Sequence, residues 1–271
     1  MNKITVFYDH IRQAALQENL PFEEICQKLT AAGISGIETD YLDIAGDDGE
    51  EFAEKLATLG LPISSVYCHF GWEKSSPDQN YIIVLKRLKQ LGIHNLLAIP
   101  GFLRDGQSVD ESIEEMLPFM KKLCEAAPDY DVNIVMEDYD GALASFGTSD
   151  ALKQYFDAIP SLGCAFDTGN FMFFGENAAD ALKVLINRVT YVHCKDRSAT
   201  PVEGETPLKS MVGVDMYSSP VGKGVIPMKE ILTDILATGY QGPLAIEHFG
   251  SISQLSYMLE SADFLKSLIN K

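Results

Sequence analysis

Four short apolar runs each end on a side chain that can bind a metal ion or carry a proton. In chain order these side chains are Glu137, Asp167, His193 and Glu247. Each run is rich in β-branched or aromatic residues, as expected of a buried strand, and helix-like segments separate the runs. Because the carboxyl ends of successive parallel strands meet at one end of a barrel, the four side chains are predicted to converge there.

The combination of these side chains indicates a metal site. Three carboxylates in one pocket cannot all remain ionised unless a cation balances them. Three carboxylates and one imidazole form an oxygen-rich set, which favours Mn²⁺, Mg²⁺ or Co²⁺ over a structural zinc ion. Taken singly, each acid could instead cap a helix or pair with a lysine. Their shared position favours one divalent ion, for which we expect Mn²⁺, with Mg²⁺, Co²⁺ or Zn²⁺ as alternatives.

The pattern around these residues is an alternation of eight strand-like and eight helix-like segments. The predicted strands are Ile4–Tyr8, Gly36–Thr39, Ile63–His69, Asn95–Ile99, Asn133–Glu137, Cys164–Asp167, Tyr191–Lys195 and Pro243–Glu247. The predicted helices are Phe22–Leu29, Glu51–Leu59, Tyr81–Leu91, Ile113–Ala127, Asp150–Ala158, Ala178–Ile186, Pro227–Ala237 and Ile252–Ile269. Several helix-like segments close on glycine, which tolerates the left-handed C-terminal cap; these are Gly33, Gly60, Gly92 and Gly239.

This alternation predicts an α/β fold, a single (β/α)8 TIM barrel spanning residues 1–271 with its active site at the C-terminal ends of the strands. The alternative is a doubly wound open sheet. Against it, Tyr8-Asp9-His10 follows the first strand, where such a fold would place a glycine-rich phosphate turn. Residues 197–226 form a long, irregular βα loop that we expect to overhang the active site as a lid or subunit contact.

The composition excludes several classes of partner. Lys+Arg of 21 against Asp+Glu of 39 gives a net charge of −18, which repels nucleic-acid backbones. The five cysteines are scattered and include no C-x-x-C pair, so free thiols in a reducing compartment are expected. No apolar run approaches the ~18 residues needed to span a membrane, and no signal peptide is recognisable. We therefore expect a cytoplasmic protein without nucleic-acid or membrane partners.

Several motifs make the whole chain resemble a known superfamily, the sugar isomerases and epimerases with xylose-isomerase-like TIM barrels. The motifs are Gly36-Ile37-Glu38, Glu137, Asp167-Thr168-Gly169-Asn170, His193-Cys194-Lys195-Asp196, Gly222-Lys223-Gly224, Gly239-Tyr240-Gln241-Gly242 and Ile246-Glu247. The resemblance implies that Glu137, Asp167, His193 and Glu247 bind the metal, and that Glu137 and Glu247 also act as acid and base. One departure is Asn170, because many members carry a histidine there that contacts the substrate. Asparagine can hydrogen-bond a hydroxyl but cannot carry a proton.

Five further side chains are expected to contact the substrate: His69, Trp72, Asn170, Lys195 and Arg197. Each has a plainer alternative. His69 could be a buried structural histidine, Trp72 a packing residue, Lys195 a partner of one of the acids and Arg197 a solvated loop residue.

Two of the motifs have less direct roles. Glu38 is expected to be structural, tying the second strand to a basic group. Gly222-Lys223-Gly224 is similar to a phosphate-gripping turn, but a tight turn into the next helix explains it equally well.

The resemblance implies metal-dependent isomerisation or epimerisation of a small sugar, ketose or related polyol, phosphorylated or free, through an enediolate. The main alternative is a dehydratase of the same superfamily, of the inosose type, and another is a non-catalytic sugar-binding relative. An abasic-site endonuclease of related fold is disfavoured, because it needs more histidine ligands and a basic face, whereas this chain has five histidines and is acidic. The expected partner is a small-molecule sugar, and a homo-oligomer remains open.

Overall fold

The computed structural model describes residues 2–70 and 77–269, and its centre is a closed barrel of parallel strands. The strands are β1 Ile4–Phe7, β2 Ile34–Asp40, β3 Ile63–His69, β4 Asn95–Ile99, β5 Asn133–Glu137, β6 Gly163–Asp167, β7 Val189–Cys194, β8 Asp196–Ser198, β9 Leu208–Lys209, β10 Asp215–Ser219 and β11 Leu244–Ile246. The barrel contains β1 to β7 in chain order and closes through β11, which pairs with both β7 and β1. The predicted TIM barrel is confirmed.

Helices surround the barrel and cover its outer face. They are α1 Tyr8–Glu18, α2 Phe22–Ala31, α3 Gly49–Thr58, α4 Pro77–Leu91, α5 Val109–Ala126, α6 Ser149–Ala158, α7 Ala178–Leu185, α8 Met228–Ala237 and α9 Gln254–Ile269. Short 3₁₀ helices lie at Tyr41–Asp43, Ala127–Tyr130, Phe171–Phe174 and Ile186–Arg188. No helix of the described residues is long and apolar enough to cross a membrane.

The glycines predicted to end helices do so in the left-handed region. Gly33, Gly60, Gly92 and Gly239 have φ angles of 90°, 79°, 65° and 88°. A side chain would be strained at such angles, so glycine is the residue that lets each helix turn sharply towards the next strand.

Helix α1 was not predicted from the sequence. Its N-terminus has no side-chain cap, and its buried residues are only His10, Ile11 and Ala14. This narrow apolar face gives a weak helical pattern. The helix is stabilised by packing against α9, at the far end of the chain, which local periodicity cannot reveal.

The segment 197–226, which we call the insert, was predicted to be irregular, and this is wrong in part. It contains β9 and β10 and most of β8, which form a small antiparallel sheet in the order β8–β10–β9. These strands are two to five residues long, too short for their alternation to stand out from a loop.

Asp196 fastens the insert to the end of β7. Its carboxylate accepts hydrogen bonds from the backbone N–H groups of Arg197, Gly222, Gly224 and Ile226, at 2.8–3.2 Å. Gly224 also has no room for a Cβ atom, which would lie 2.2 Å from the carbonyl oxygen of Arg197. The amides of Gly222 and Gly224 thus donate to Asp196, and that of Lys223 donates to the carbonyl oxygen of Pro220. This agrees with a tight turn and not with a phosphate-gripping one.

Replacing Asp196 by alanine should destabilise the protein, because it removes the acceptor for four backbone donors. We expect the free energy of unfolding in urea to fall by about 3 kcal/mol, the order of cost for leaving buried donors unpaired. Asp215→Ala, at an exposed aspartate of β10, is the control and should change it by less than about 0.5 kcal/mol. Equal losses in the two variants would contradict the anchoring role.

Candidate metal and acid–base site

The barrel brings the four predicted ligands together at the C-terminal ends of its strands. Asp167 and His193 are direct register partners on β6 and β7. Glu137 ends the neighbouring β5, and Glu247 follows β11 on the other side. One ligand-competent atom from each of the four residues lies within 4.8 Å of the others, and all four residues are buried. They form a group that could hold a metal ion.

The residues beneath these side chains belong to the apolar interior, as the alternation of the strands predicts. Val135, Ala165, Tyr191 and Ala245 each precede a ligand by two positions and are at most 2% exposed. They form the packed floor on which the polar groups stand.

His193 is held between carboxylates on both sides of its ring. Its Nδ1 lies 2.8 Å from Glu137 Oε2 and 3.5 Å from Glu247 Oε2, while Nε2 lies 3.2 Å from Glu38 Oε2. Burial alone would lower the pKa of His193, but the charges of Glu38 and Glu137 and their hydrogen bonds raise it well above its ordinary value. The basic group that Glu38 was expected to tie to β2 is thus His193.

This arrangement gives the two ring nitrogens different roles. A histidine that donates its Nε2 proton to a carboxylate presents a lone pair on Nδ1, the form in which imidazole binds metals. In this structure Nδ1 is the nitrogen that faces the other predicted ligands. Glu38 therefore orients the imidazole from behind, a function that the sequence did not indicate.

Asp167 is fixed by hydrogen bonds to one carboxylate oxygen, and its other oxygen accepts none. Oδ1 accepts hydrogen bonds from the backbone N–H groups of Gly169 at 2.7 Å and Asn170 at 2.8 Å. Oδ2 is buried and has no hydrogen-bond partner. Burial, reinforced by the negative charges of Glu247 and Glu137, raises the pKa of Asp167 well above its ordinary value. A cation beside Oδ2 would remove this penalty.

Lys195 pairs with the acids, which was one of its two predicted roles. Its Nζ lies 2.5 Å from Glu247 Oε1 and 3.8 Å from Asp167 Oδ2. It also donates to Asn170 Oδ1 at 2.6 Å, and the amide of Asn170 in turn donates to the carbonyl oxygen of Asp138 at 2.8 Å. Asn170 thus orients Lys195 in this structure.

Asp138 and Asp140 belong to the same network, although the sequence did not single them out. Asp138 lies behind the site, where its Oδ1 accepts from the backbone N–H of Asp167 at 3.2 Å. Burial raises the pKa of Asp138 well above its ordinary value. Asp140 accepts a hydrogen bond from Arg197 and lies 3.4 Å from Lys195 Nζ.

Arg197 is not the solvated loop residue that one reading of the sequence suggested. It is only 4% exposed and is paired with Asp140. Burial alone would raise the pKa of Asp140, but the positive charges of Lys195 and Arg197 outweigh it and lower that pKa.

The site opens into a cavity of about 390 Å³, which we call the central cavity. Its lining residues are Phe7, Asp40, Tyr67, His69, Leu97, Ile99, Glu137, Tyr139, Asp140, Asn170, Lys195, Glu247 and Phe249. Of the residues predicted to contact substrate, His69, Asn170 and Lys195 thus line it, and His69 is exposed there. Trp72 lies outside the described residues. The lining combines aromatic surface with convergent polar groups, as small-molecule sites do.

The charges in the described part of the site are not balanced by protein cations. Six carboxylates belong to the network, and only Lys195 and Arg197 are permanently cationic; the acids are Glu38, Glu137, Asp138, Asp140, Asp167 and Glu247. The excess negative charge, the Oδ2 of Asp167 that accepts no hydrogen bond and the inward Nδ1 of His193 fit a divalent cation. The donor set could therefore hold one such ion.

Comparison with known proteins agrees with the architecture. Residues 26–268 match the family model of the xylose isomerase-like TIM barrel. An inosose dehydratase of Bacillus anthracis (strain CDC 684 / NRRL 3495) is 28% identical over 160 residues, covering 57% of this chain and 53% of the relative. An inosose dehydratase of Geobacillus thermodenitrificans (strain NG80-2) is 26% identical over 249 residues, which cover 84% of this chain and 82% of the relative. The chain thus spans about half of the length of the first of these relatives.

Solved structures share the fold at low sequence identity. A xylose isomerase domain protein from Planctomyces limnophilus superposes with a TM-score of 0.74 and 19% identity, covering 100% of this chain and 99% of that one. The IOLI protein with a bound zinc atom has a TM-score of 0.74 and 15% identity, and the match covers 99% of this chain and 98% of that one. A D-allulose 3-epimerase from Methylomonas sp. has a TM-score of 0.72 and 16% identity, and the match covers 98% of this chain and 97% of that one.

Asp140→Asn should destabilise the protein in a pH-dependent way. Because the pKa of Asp140 is lower in the folded than in the unfolded chain, its stabilising contribution is present above its unfolded pKa of about 3.9 and is lost as the pH falls through the folded value. We expect a loss of about 3 kcal/mol near pH 7, the lower end of the cost of breaking a buried ion pair. The measurement is urea unfolding of both proteins from pH 3 to pH 7. A difference that stays constant as the pH falls would show that the charge of Asp140 is unimportant.

Proposed function

The chain belongs to the xylose isomerase-like TIM barrel family, and we propose that it is a divalent-metal-dependent isomerase or epimerase of a small sugar, ketose or related polyol. The observation that carries this proposal is the pair of glutamates around His193. Glu137 and Glu247 stand on β5 and just beyond β11, the strands that flank the pair bearing Asp167 and His193. A substrate over this cluster would have a carboxylate on each side.

The two glutamates lie in different electrostatic environments, as an acid and a base require. Burial raises the pKa of Glu137, whose carboxylate lies 2.8 Å from His193 Nδ1. Glu247 instead forms an ion pair with Lys195 at 2.5 Å. We therefore assign Glu247 as the group that first removes a proton and Glu137 as the group that returns one.

The metal ligands of the proposal are Glu137, Asp167, His193 and Glu247. A divalent ion held by them would supply a Lewis acid for the substrate carbonyl and its neighbouring hydroxyl. Mn²⁺ is our proposed ion because the set is rich in carboxylate oxygen, and Mg²⁺, Co²⁺ and Zn²⁺ are the alternatives.

The reaction then depends on where the proton returns. Glu247 removes the proton from the carbon alpha to the carbonyl, which leaves an enediolate. Return of a proton to the neighbouring carbon, with the hydroxyl proton passing to the former carbonyl oxygen, gives isomerisation. Return by Glu137 to the opposite face of the same carbon gives epimerisation.

The remaining predicted residues are proposed to hold the substrate. His69, Asn170 and Lys195 line the central cavity, where they would bind hydroxyl or carbonyl oxygens. Arg197 would act through Asp140, and Trp72 is proposed to contact the substrate.

The cavity favours a sugar without a phosphate group. Asp40 and Asp140 both line it, and their charges repel an anion. The amides of Gly222 and Gly224, the one turn similar to a phosphate-gripping motif, already donate to Asp196. The five free, buried cysteines support a cytoplasmic location for the enzyme.

A dehydratase of the inosose type is the second candidate, and the similarity to the inosose dehydratases favours it. It would begin with the same proton abstraction and then expel a β-hydroxyl as water. Lys195 supports this possibility, because its ammonium group lies beside Glu247 and could hydrogen-bond a departing hydroxyl.

The metal site predicts that one Mn²⁺ binds per chain, measured by calorimetric titration of protein treated with a chelator. His193→Ala should abolish binding. Glu38→Gln should weaken it about tenfold to a hundredfold, the usual effect of removing a group that orients a ligand. His94→Ala, which alters an exposed histidine, should bind as the wild type does. Absence of micromolar Mn²⁺ binding in the wild type would remove the basis of the proposal.

The reaction predicts that solvent deuterium enters the carbon alpha to the carbonyl of the substrate, followed by NMR over a panel of ketoses and inososes with Mn²⁺. Glu137→Gln and Glu247→Gln should each lower the rate by about 10²–10⁴, because glutamine keeps the shape but transfers no proton. Glu54→Gln, at an exposed glutamate, is the control.

The products of the same reactions separate the candidates. Release of water with an unsaturated or diketo product would assign the dehydratase. Tight binding of a sugar with no exchange by the metal-loaded protein would leave only a binding protein.

A further inference from the structure

The chain segment that carries Glu247 loses its strand partner on one side at that residue. β11 ends at Ile246, which pairs with Val6 of β1. β1 itself ends at Phe7, and α1 begins at the next residue. On this side, no strand continues beside Glu247 and the residues that follow it. Their position therefore has to be fixed by other contacts.

A side chain of α1 takes the place of the missing strand. The backbone N–H of His248, in the peptide that directly follows Glu247, donates to Nε2 of His10 at 2.8 Å. Because an amide can only donate, Nε2 carries a lone pair and the ring is neutral. His10 is fully buried, and burial lowers its pKa well below the ordinary value, which keeps this acceptor available at neutral pH.

The ring of His10 also packs behind the wall of the central cavity. Its centroid lies 4.6 Å from that of Phe249 and 5.6 Å from that of Phe7, and both phenylalanines line the cavity. Phe7 in turn meets the ring of His193 edge-on, with 5.1 Å between the centroids. His10 is not part of the cavity lining. It can therefore influence the site only through the residues that it holds.

Two glutamines continue this contact along the same face of α1. Gln13 and Gln17 follow His10 by three and seven positions, the spacing of one helix face. Oε1 of Gln13 accepts a hydrogen bond from Nε2 of Gln254 at 2.9 Å, and the same nitrogen donates to the carbonyl oxygen of His248 at 2.9 Å. Oε1 of Gln17 accepts from the backbone N–H of Gln254 at 2.8 Å. Helix α1 thus holds the segment that leads from β11 into α9.

The geometry required of Glu247 gives this contact its importance. Its Oε1 lies 2.5 Å from Lys195 Nζ, and its Oε2 lies 3.5 Å from His193 Nδ1. A group that binds a metal or moves a proton must stay within about 0.5 Å of its productive position. A displacement of about 1 Å can lower a rate about a hundredfold. A peptide that is free to move directly after Glu247 would not meet this requirement.

We propose that His10 is a positioning residue, which holds Glu247 in the metal site and Phe249 in the cavity wall from behind. This inference rests on the proposed role of Glu247 as metal ligand and base. His10 itself touches no substrate and transfers no proton. Gln13 and Gln17 assist it by holding the rest of the segment against α1.

Calorimetric titration with Mn²⁺ of a matched pair of variants tests this role. His10→Leu fills a similar volume without an acceptor, whereas His10→Gln keeps an acceptor. We expect His10→Leu to weaken Mn²⁺ binding about tenfold, as the loss of a group that orients a ligand does, and His10→Gln to stay within about threefold of the wild type. Ile11→Ala removes buried packing from the same helix and is the control, which should bind Mn²⁺ as the wild type does.

Hydrogen exchange followed by mass spectrometry separates this role from the proposed function. The amides of residues 247–254 should exchange faster in His10→Leu and return to slow exchange in His10→Gln. Mn²⁺ affinity that is unchanged in His10→Leu, or lowered equally in all three variants, would overturn the positioning role. If the wild type binds no Mn²⁺, the proposed function fails and exchange alone decides: faster exchange in His10→Leu would still support the anchoring of Glu247, and unchanged exchange would overturn it.

Discussion

The accumulation of negative charge at one end of the barrel is the constraint on which the site depends. Buried carboxylates are unfavourable unless cations or hydrogen bonds compensate them. Here the two permanent cations are shared: Lys195 contacts Glu247, Asp140 and Asp167, and Arg197 contacts Asp140. The compensation is incomplete, because Asp167 Oδ2 accepts no hydrogen bond and lies 3.8 Å from the ammonium group of Lys195. Binding of a divalent ion would therefore also contribute to the stability of the folded chain.

The parts of this arrangement that could be predicted from sequence follow from local rules. The alternation of strands and helices, with glycines such as Gly33 at helix ends, determines the barrel. Period-two alternation then points the four ligand side chains to the same interior, above small or apolar residues. Since parallel strands end at the same level, the type of residue at each strand end was enough to predict the cluster.

The parts that could not be predicted are contacts between residues far apart in sequence. Glu38 reaches His193 across 155 positions, and Asp140 reaches Arg197 across 57. No spacing rule connects such pairs, because their proximity comes from barrel closure and from the path of the insert. Arg197 shows the consequence: its polar surroundings in sequence suggest a solvated loop, whereas a carboxylate from another loop makes its burial possible. Helix α1 escaped prediction for the same reason, since α9 stabilises it.

The way the barrel closes also determines when the site can form during synthesis. The first strand pairs with the last, with Ile4 opposite Leu244, and the side chain of Asn2 donates to the carbonyl oxygens of Tyr240 and Gly242. Until those residues leave the ribosome, β1 and β7 are open edges, and such edges invite pairing with other chains. Glu247 directly follows β11 and is therefore synthesised together with it. A nascent chain thus acquires its fourth ligand only in the step that also closes its exposed edges.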